Sequence, residues 1–196
     1  MQGIRRWKEY LEEHGPGYTL RRSADKFFQV TLGTWDRKWR LLRPDQAEQR
    51  WQREHPPAAG LISVVVPVYN TKKEYLQVLL DSLKNQTYEN WEAVLYDGGS
   101  TLAETRAVLD AAASADFRFR VIRGAENRGI SGNTNAAVAQ ARGDYIALCD
   151  HDDWLREDAL WRVAEAIERD QPDWLYTDED MLTQNGRVHI DPHFKP

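Results

Sequence analysis

Three carboxylates within four residues, Asp150-His151-Asp152-Asp153, carry the strongest chemical signal in the sequence. So much like charge is hard to hold together without a cation, and oxygen-only ligands suit Mg2+ or Mn2+ better than zinc. An Asp-x-Asp at a strand end can hold a metal that bridges a diphosphate, where the cation neutralises charge on a departing nucleoside diphosphate. Asp150 and Asp152 are the ligands this chemistry asks for. The competing reading has Asp153 capping the helix that follows, with its neighbours solvated. A second cluster, Asp97-Gly98-Gly99-Ser100, pairs a carboxylate able to accept from a base edge with glycines that let a flat ligand approach the backbone. Taken alone, it is also a common turn. Tyr69, two residues after Pro67, can flank the same base. The stretch from Asn127 to Asn135 has the composition of a helix start beside an anion, with Arg128 available to a phosphate. Equally, Ser131 there only caps the helix. The stretch matches neither a Walker A loop nor the dinucleotide Gly-x-Gly-x-x-Gly fingerprint.

These clusters need a scaffold that brings them to one rim. Leu61–Pro67 is an unbroken apolar, β-branched run, as in a strand buried on both faces. Helical spacing follows over Lys72–Asn85, a strand over Trp91–Tyr96 and a helix over Leu102–Ala113. The pattern continues with a strand at Phe117–Ile122, a short alanine-rich helix at Gly132–Ala141 and a strand at Asp144–Cys149. A helix over Arg156–Arg169 and a fifth strand over Asp173–Thr177 complete it. Strands alternating with helices predict an α/β domain with a mostly parallel sheet. In such a sheet ligands bind outside the carboxyl ends of the strands, which is where all the polar clusters fall, Asp178-Glu179-Asp180 included.

The break at His55-Pro56-Pro57-Ala58-Ala59-Gly60 reads as a linker, so residues 1–60 are a helical extension and residues 61–196 the main domain. Within the extension, Ile4–Glu13 and Asp45–Glu54 look helical and Gly15-Pro16-Gly17 is a turn. The net charge of −5 is a sum of +4 over residues 1–60 and −9 over the rest, and it argues against a general nucleic-acid binder. Trp7, Trp35, Trp39 and Trp51 lie among the basic residues of the extension. Two readings stand: a peripheral membrane or partner surface, and packing of the extension onto the main domain. No apolar run approaches the roughly 20 residues of a transmembrane helix, and the N-terminus lacks the apolar core of a secretory signal. The single cysteine, Cys149, excludes an internal disulfide, so a reducing, cytoplasmic setting is expected, at the inner face of the plasma membrane if the first reading holds. His14, His55, His189 and His193 show no ligand spacing and are expected at the surface or in packing.

From Leu61 onward the chain resembles the family 2 glycosyltransferases of GT-A fold. The resemblance rests on SVVVPVYN (63–70), LYDGGST (95–101), ENRGISGNTNAA (126–137), GDYIALCDHDD (143–153) and DWLYTDEDMLTQNGRVHIDPHFKP (173–196), in matching order and spacing. The last stretch is most similar to bacterial enzymes of O-antigen and related cell-surface polysaccharide synthesis. The resemblance implies a sugar transfer with inversion from a nucleotide-diphosphate sugar to a glycan or lipid-linked glycan hydroxyl. It assigns Asp150 and Asp152 to the divalent cation, Mg2+ or Mn2+, and to the donor. Pro67, Tyr69, Asp97, Gly98, Arg128 and Asn133 fall to the nucleotide-sugar site. Asp153, Asp178, Glu179 and Asp180 fall to the donor-sugar or acceptor side. The family's usual Asp-Asp-Gly-Ser is Asp-Gly-Gly-Ser here, which removes a second carboxylate at position 98. The family's catalytic base lies in a later motif, expected beyond Pro196, so none is assigned. The alternatives are a donor-binding fragment or pseudoenzyme without transfer activity, a sugar-nucleotide pyrophosphorylase, and an α/β interaction domain.

Overall fold

A computed structural model describes residues 34–183 and 188–195. The chain divides into two compact units, one of Pro44–Asp173 and one formed by residues 1–43 with Trp174–Pro196. The expected helix at 4–13, the turn at 15–17, Trp7 and His14 lie outside the described residues.

The larger unit is built on four parallel strands: β1 (Ile62–Val68), β2 (Trp91–Asp97), β3 (Phe119–Arg123) and β4 (Tyr145–Leu148), in the order β3-β2-β1-β4. Every residue of β1 and β2 is buried, as the unbroken apolar run of β1 requires. Five helices accompany the sheet: α2 (Gln46–Glu54), α3 (Lys73–Lys84), α4 (Ala103–Ala115), α5 (Gly129–Val138) and α6 (Ala159–Asp170), with α1 (Thr34–Leu42) in the other unit. Side chains alternate across a strand, so the two faces of the sheet have different cores. One face carries Val64, Val66, Ala93, Leu95 and Phe119. It packs with Leu76, Leu79, Leu80 and Leu83 of α3, Val108 and Leu109 of α4, and Leu160, Trp161, Ala164 and Ile167 of α6. The other face has a small core of Val65, Val94 and Tyr96 with Ala137 of α5.

So little apolar surface cannot by itself set where α5 lies. A buried anion does much of that work. Glu92, opposite Ser63 in the register, accepts from the Ser63 hydroxyl (2.8 Å), the Arg142 amide (2.7 Å) and the Arg120 guanidinium (2.9 Å). The Ser63 hydroxyl in turn accepts from the Gly143 amide (2.8 Å), and Arg120 also donates to the Gln140 carbonyl (2.7 Å). The loop leaving α5 is thereby latched to the amino-terminal half of the sheet.

Several expectations shift. The segment at 173–177 is not a strand. The fifth and sixth strands, β5 (Glu179–Leu182) and β6 (His189–His193), form a separate antiparallel sheet in the smaller unit. The division falls at residue 43 instead of 60, because α2 belongs to the sheet unit. Its Gln52 is fully buried and accepts from the Thr87 hydroxyl (2.8 Å), and the Trp161 indole donates to the Gln52 carbonyl (3.1 Å). The stretch taken as a linker is tied down as well: the Tyr88 hydroxyl donates to the Gly60 carbonyl (2.5 Å), and Ala59 joins the core. Helix α5 starts at Gly129, so Ser131 lies inside it and does not cap it. Of the extension's tryptophans, the three among the described residues each meet a ring or a carboxylate. Trp51 lies against Trp161, while in the smaller unit Trp39 stacks on His189 at 3.6 Å and Trp35 donates to Asp180 (2.7 Å).

Glu92→Ala removes the buried carboxylate that accepts from the Arg142 amide, the Ser63 hydroxyl and Arg120, and leaves the Arg120 charge unneutralised. Urea unfolding is expected to show a loss of about 2–4 kcal/mol.

Candidate donor-binding site

Two loops at the carboxyl end of the sheet are joined backbone to side chain. After β1, Asn70 adopts the left-handed region (φ 49°), which an asparagine tolerates. Its side-chain oxygen accepts from the Thr101 (2.8 Å) and Leu102 (3.0 Å) amides, so it satisfies amides just before α4. Its own amide donates to the Ser100 hydroxyl (2.9 Å), and the Gly98 amide donates to the Val68 carbonyl (2.9 Å). Gly99 makes the turn at φ 76°, a conformation that favours glycine.

Asp97 sits beneath this junction, 2% exposed. One of its oxygens accepts the Ser100 amide (2.8 Å), and the other meets Arg123, its register partner on β3, which also binds Asp110. Burial pushes the Asp97 carboxyl up, but the Ser100 hydroxyl and amide and the Arg123 guanidinium outweigh it and hold the group below its ordinary value. The sequence reading sets Asp97 against a base edge; the structure commits its carboxylate to the protein. It braces the loop and does not face the neighbouring pocket. In the sequence, an arginine closing a strand reads as a solvated charge, so Arg123 carries no local signal of this role.

Gly98 has a steric reason. A Cβ there would lie 2.6 Å from the side-chain nitrogen of Asn133, which is itself buried. The Asn133 amide group donates to the Asn127 side chain (2.9 Å) and accepts from the Arg128 amide (3.2 Å), and Asn127 also accepts from the Gly129 amide (3.0 Å). Asn133 thus shapes the entry to α5 over Gly98. Arg128 extends into solvent, 3.7 Å from Glu126.

A pocket of about 190 Å3 opens beside these loops. Pro67 and Val68 line it from β1 and Tyr69 from just after it, Asn127, Gly129, Ile130 and Asn133 from the start of α5, and His151 from the acidic loop. In that loop Asp153 accepts the Asp150 amide (3.1 Å) and its own amide donates to the Asp150 carbonyl (3.2 Å). Asp153 therefore closes a turn; α6 begins only at Ala159, and Asp158 before it pairs with Arg156 and Arg162. Asp150 and Asp152 remain exposed. Among the described residues no three His, Cys, Asp or Glu side chains converge to hold a metal unaided. Burial, with the field of Asp153, Asp150 and Asp152, pushes the Cys149 thiol far up, so it is no thiolate nucleophile.

The other acidic cluster belongs to the smaller unit and has partners there. Asp178 accepts the Lys195 amide (2.8 Å), Glu179 pairs with the Lys195 ammonium (3.0 Å), and Asp180 accepts from Trp35 and His189. The structure therefore joins Pro67, Tyr69, Asn133 and the 150–153 loop around one pocket, with Asp97 and Gly98 as its support. Asp178, Glu179 and Asp180 follow no strand of the parallel sheet and belong to the smaller unit.

A parallel α/β sheet with a pocket and an acidic loop at its carboxyl rim is an architecture of GT-A type. The chain belongs to glycosyl transferase family 2, whose family model matches residues 63–188. It is 46% identical over 171 residues to the uncharacterized protein y4gI of Sinorhizobium fredii, covering 86% of this chain and 18% of that protein. It is 36% identical over 138 residues to the O-antigen biosynthesis protein RfbC of Myxococcus xanthus, covering 69% of this chain and 11% of that one. The chain thus spans less than a fifth of the length of either relative. Among solved structures, residues 1–349 of S. aureus TarS in complex with UDP-GlcNAc superpose with a TM-score of 0.52 at 29% identity, over 57% of this chain and 32% of that one. Among the described residues no helix is long and apolar enough to cross a membrane.

Two outcomes follow from the brace. Gly98→Ala is expected to cost about 1–3 kcal/mol by crowding Asn133, and thermal melts should show a smaller cost in an Asn133→Ala background. Asp97 is ionised below its ordinary value in the folded state, so its stabilisation is present at neutral pH and lost as pH falls through and below the usual aspartate range of about 4. Arg123→Met should shrink that acid loss: the variant melts lower at neutral pH and approaches the wild type as pH falls in a melting-temperature series.

Proposed function

We propose that this chain carries the donor site of an inverting, metal-dependent glycosyltransferase that moves a sugar from a nucleoside-diphosphate donor to a glycan hydroxyl. The observation that carries the reading is the placement of the pocket at the β1 rim directly beside the exposed Asp150 and Asp152, in a chain of family 2. Two carboxylates without a third protein ligand suit a hard cation that takes its other ligands from diphosphate oxygens and water. Bound there, Mg2+ or Mn2+ supplies charge neutralisation for the departing diphosphate. The protein's own part is to hold the nucleotide against Pro67 and Tyr69 and to set Arg128, at the start of α5, toward the phosphates. The amino end of α5 has no acidic residue in its first turn to oppose an anion. No described residue is assigned as the base that an inverting transfer requires.

The likeness to RfbC supports a role in cell-surface polysaccharide synthesis of O-antigen type, with a glycan or lipid-linked glycan as acceptor. Work on the cytoplasmic side, with peripheral attachment at the inner membrane face, fits such an acceptor.

Calorimetry of the purified chain with UDP, GDP and dTDP, each with Mn2+ or EDTA, tests the site. Mn2+-dependent binding of at least one nucleotide is expected, with Asp152→Asn reducing it more than tenfold; unchanged affinity in the variant would overturn the metal assignment.

A further inference from the structure

We propose that Asn70 is a positioning residue of the donor site: it fixes Tyr69 at the pocket and thereby sets how tightly a nucleotide is held. The proposal rests on the donor-site reading and gives Asn70 a role in it that does not involve touching the ligand.

The Tyr69 side chain has little to hold it. It lies just past the end of β1, lines the pocket and is 41% exposed. Among the described residues its hydroxyl has no hydrogen bond and its ring has no stacking partner. A side chain that is ordered only on binding gives up part of the binding energy, so an aromatic wall serves best when its backbone is already in place.

That backbone is pinned on both sides to one loop. Before Tyr69, the Val68 carbonyl accepts from the Gly98 amide (2.9 Å). After it, the Asn70 amide donates to the Ser100 hydroxyl (2.9 Å), and the Asn70 side-chain oxygen accepts from the Thr101 (2.8 Å) and Leu102 (3.0 Å) amides. The Ser100 amide is bonded in turn to the buried Asp97, which Arg123 neutralises. Tyr69 is thus the one residue between two tethers to the loop after β2. Asn70 also turns the chain directly after Tyr69, at φ 49°, a conformation asparagine adopts more readily than most residues. Its two tasks can be separated by substitution. Glycine keeps the backbone conformation and loses the side-chain oxygen. Aspartate keeps the oxygen and brings its charge to the amino end of α4, where the helix dipole favours an anion.

The test separates the placement of Tyr69 from the stability of the loop. Binding of UDP, GDP and dTDP in Mn2+ is measured by calorimetry for the wild-type chain, Asn70→Gly, Asn70→Asp, Tyr69→Ala, and Asn70→Gly combined with Tyr69→Ala. Melting curves fix a temperature at which every variant is folded. Expected are an affinity about fivefold weaker in Asn70→Gly and within about twofold of wild type in Asn70→Asp. With Tyr69→Ala already present, Asn70→Gly should cost less than about twofold more. Ser100→Ala removes the hydroxyl that receives the Asn70 amide; it covers the case in which the glycine variant does not fold and should follow the same pattern. The NMR signals of the Tyr69 ring are expected to shift on nucleotide addition to the wild type, and less at saturation in Asn70→Gly. They read the coupling where Tyr69→Ala binds too weakly to titrate. Wild-type affinity in Asn70→Gly overturns the proposal, as does wild-type affinity in Tyr69→Ala. So does an equal loss with and without the Tyr69 ring, which would make Asn70 a brace of the loop alone. If the wild-type chain binds none of the nucleotides in Mn2+, the donor-site reading itself fails, an outcome distinct from these.

Discussion

A carboxylate buried at the carboxyl end of β2 has to be satisfied by the protein, and the way this is done organises the whole rim. Asp97 is held by Ser100 on its own loop and by Arg123 across the register. The Ser100 hydroxyl also receives the Asn70 amide, so the loop after β1 is fixed to the loop after β2. An isolated charge in this position would be neutralised or expelled by its desolvation cost. Here the hydrogen bonds and the guanidinium outweigh that cost, and the anion becomes the anchor from which Gly98, Asn133 and the entry to α5 take their places.

Helix α5 illustrates how polar contacts can decide geometry where apolar burial is too small to do so. Its apolar contribution to the core on its side of the sheet is centred on Ala137. Both of its ends are instead fastened to β2. At the amino end Asn133 lies over Gly98, and at the carboxyl end the following loop closes onto Glu92. Because Asn127, Gly129, Ile130 and Asn133 form one wall of the pocket, the two buried anions of β2 position that wall. Charge is divided in the same way: no Lys, Arg, Asp or Glu lines the pocket, and the exposed carboxylates of Asp150 and Asp152 lie in the adjacent loop.

Much of this was legible in the chain itself. The β-branched run of β1 and the leucine spacing of α3 require a doubly covered strand and an amphipathic helix in any setting, since each pattern reflects burial that acts locally. The Asp150-His151-Asp152-Asp153 loop announced itself by charge density. Less legible were residues whose role depends on a distant partner. Asn70 and Arg123 have ordinary local contexts, and nothing near them in sequence names Ser100 or Asp97.

The sequence by itself determined the class of fold, the order of its parallel strands and helices, and the set of polar residues available at the strand ends, because periodicity and local composition act over a few residues. Tertiary structure alone decided which of those residues are committed to partners within the protein. It turned Asp97 inward, used Asp153 to close a turn, and placed Glu179 and Asp180 in a strand of a separate antiparallel sheet, with Asp178 just before it. The physical reason is that a carboxylate's role depends on whether a donor lies within about 3 Å of it. For Asp97 and Asp180 those donors, Arg123 and Trp35, come from elements 26 and 145 residues away in the chain.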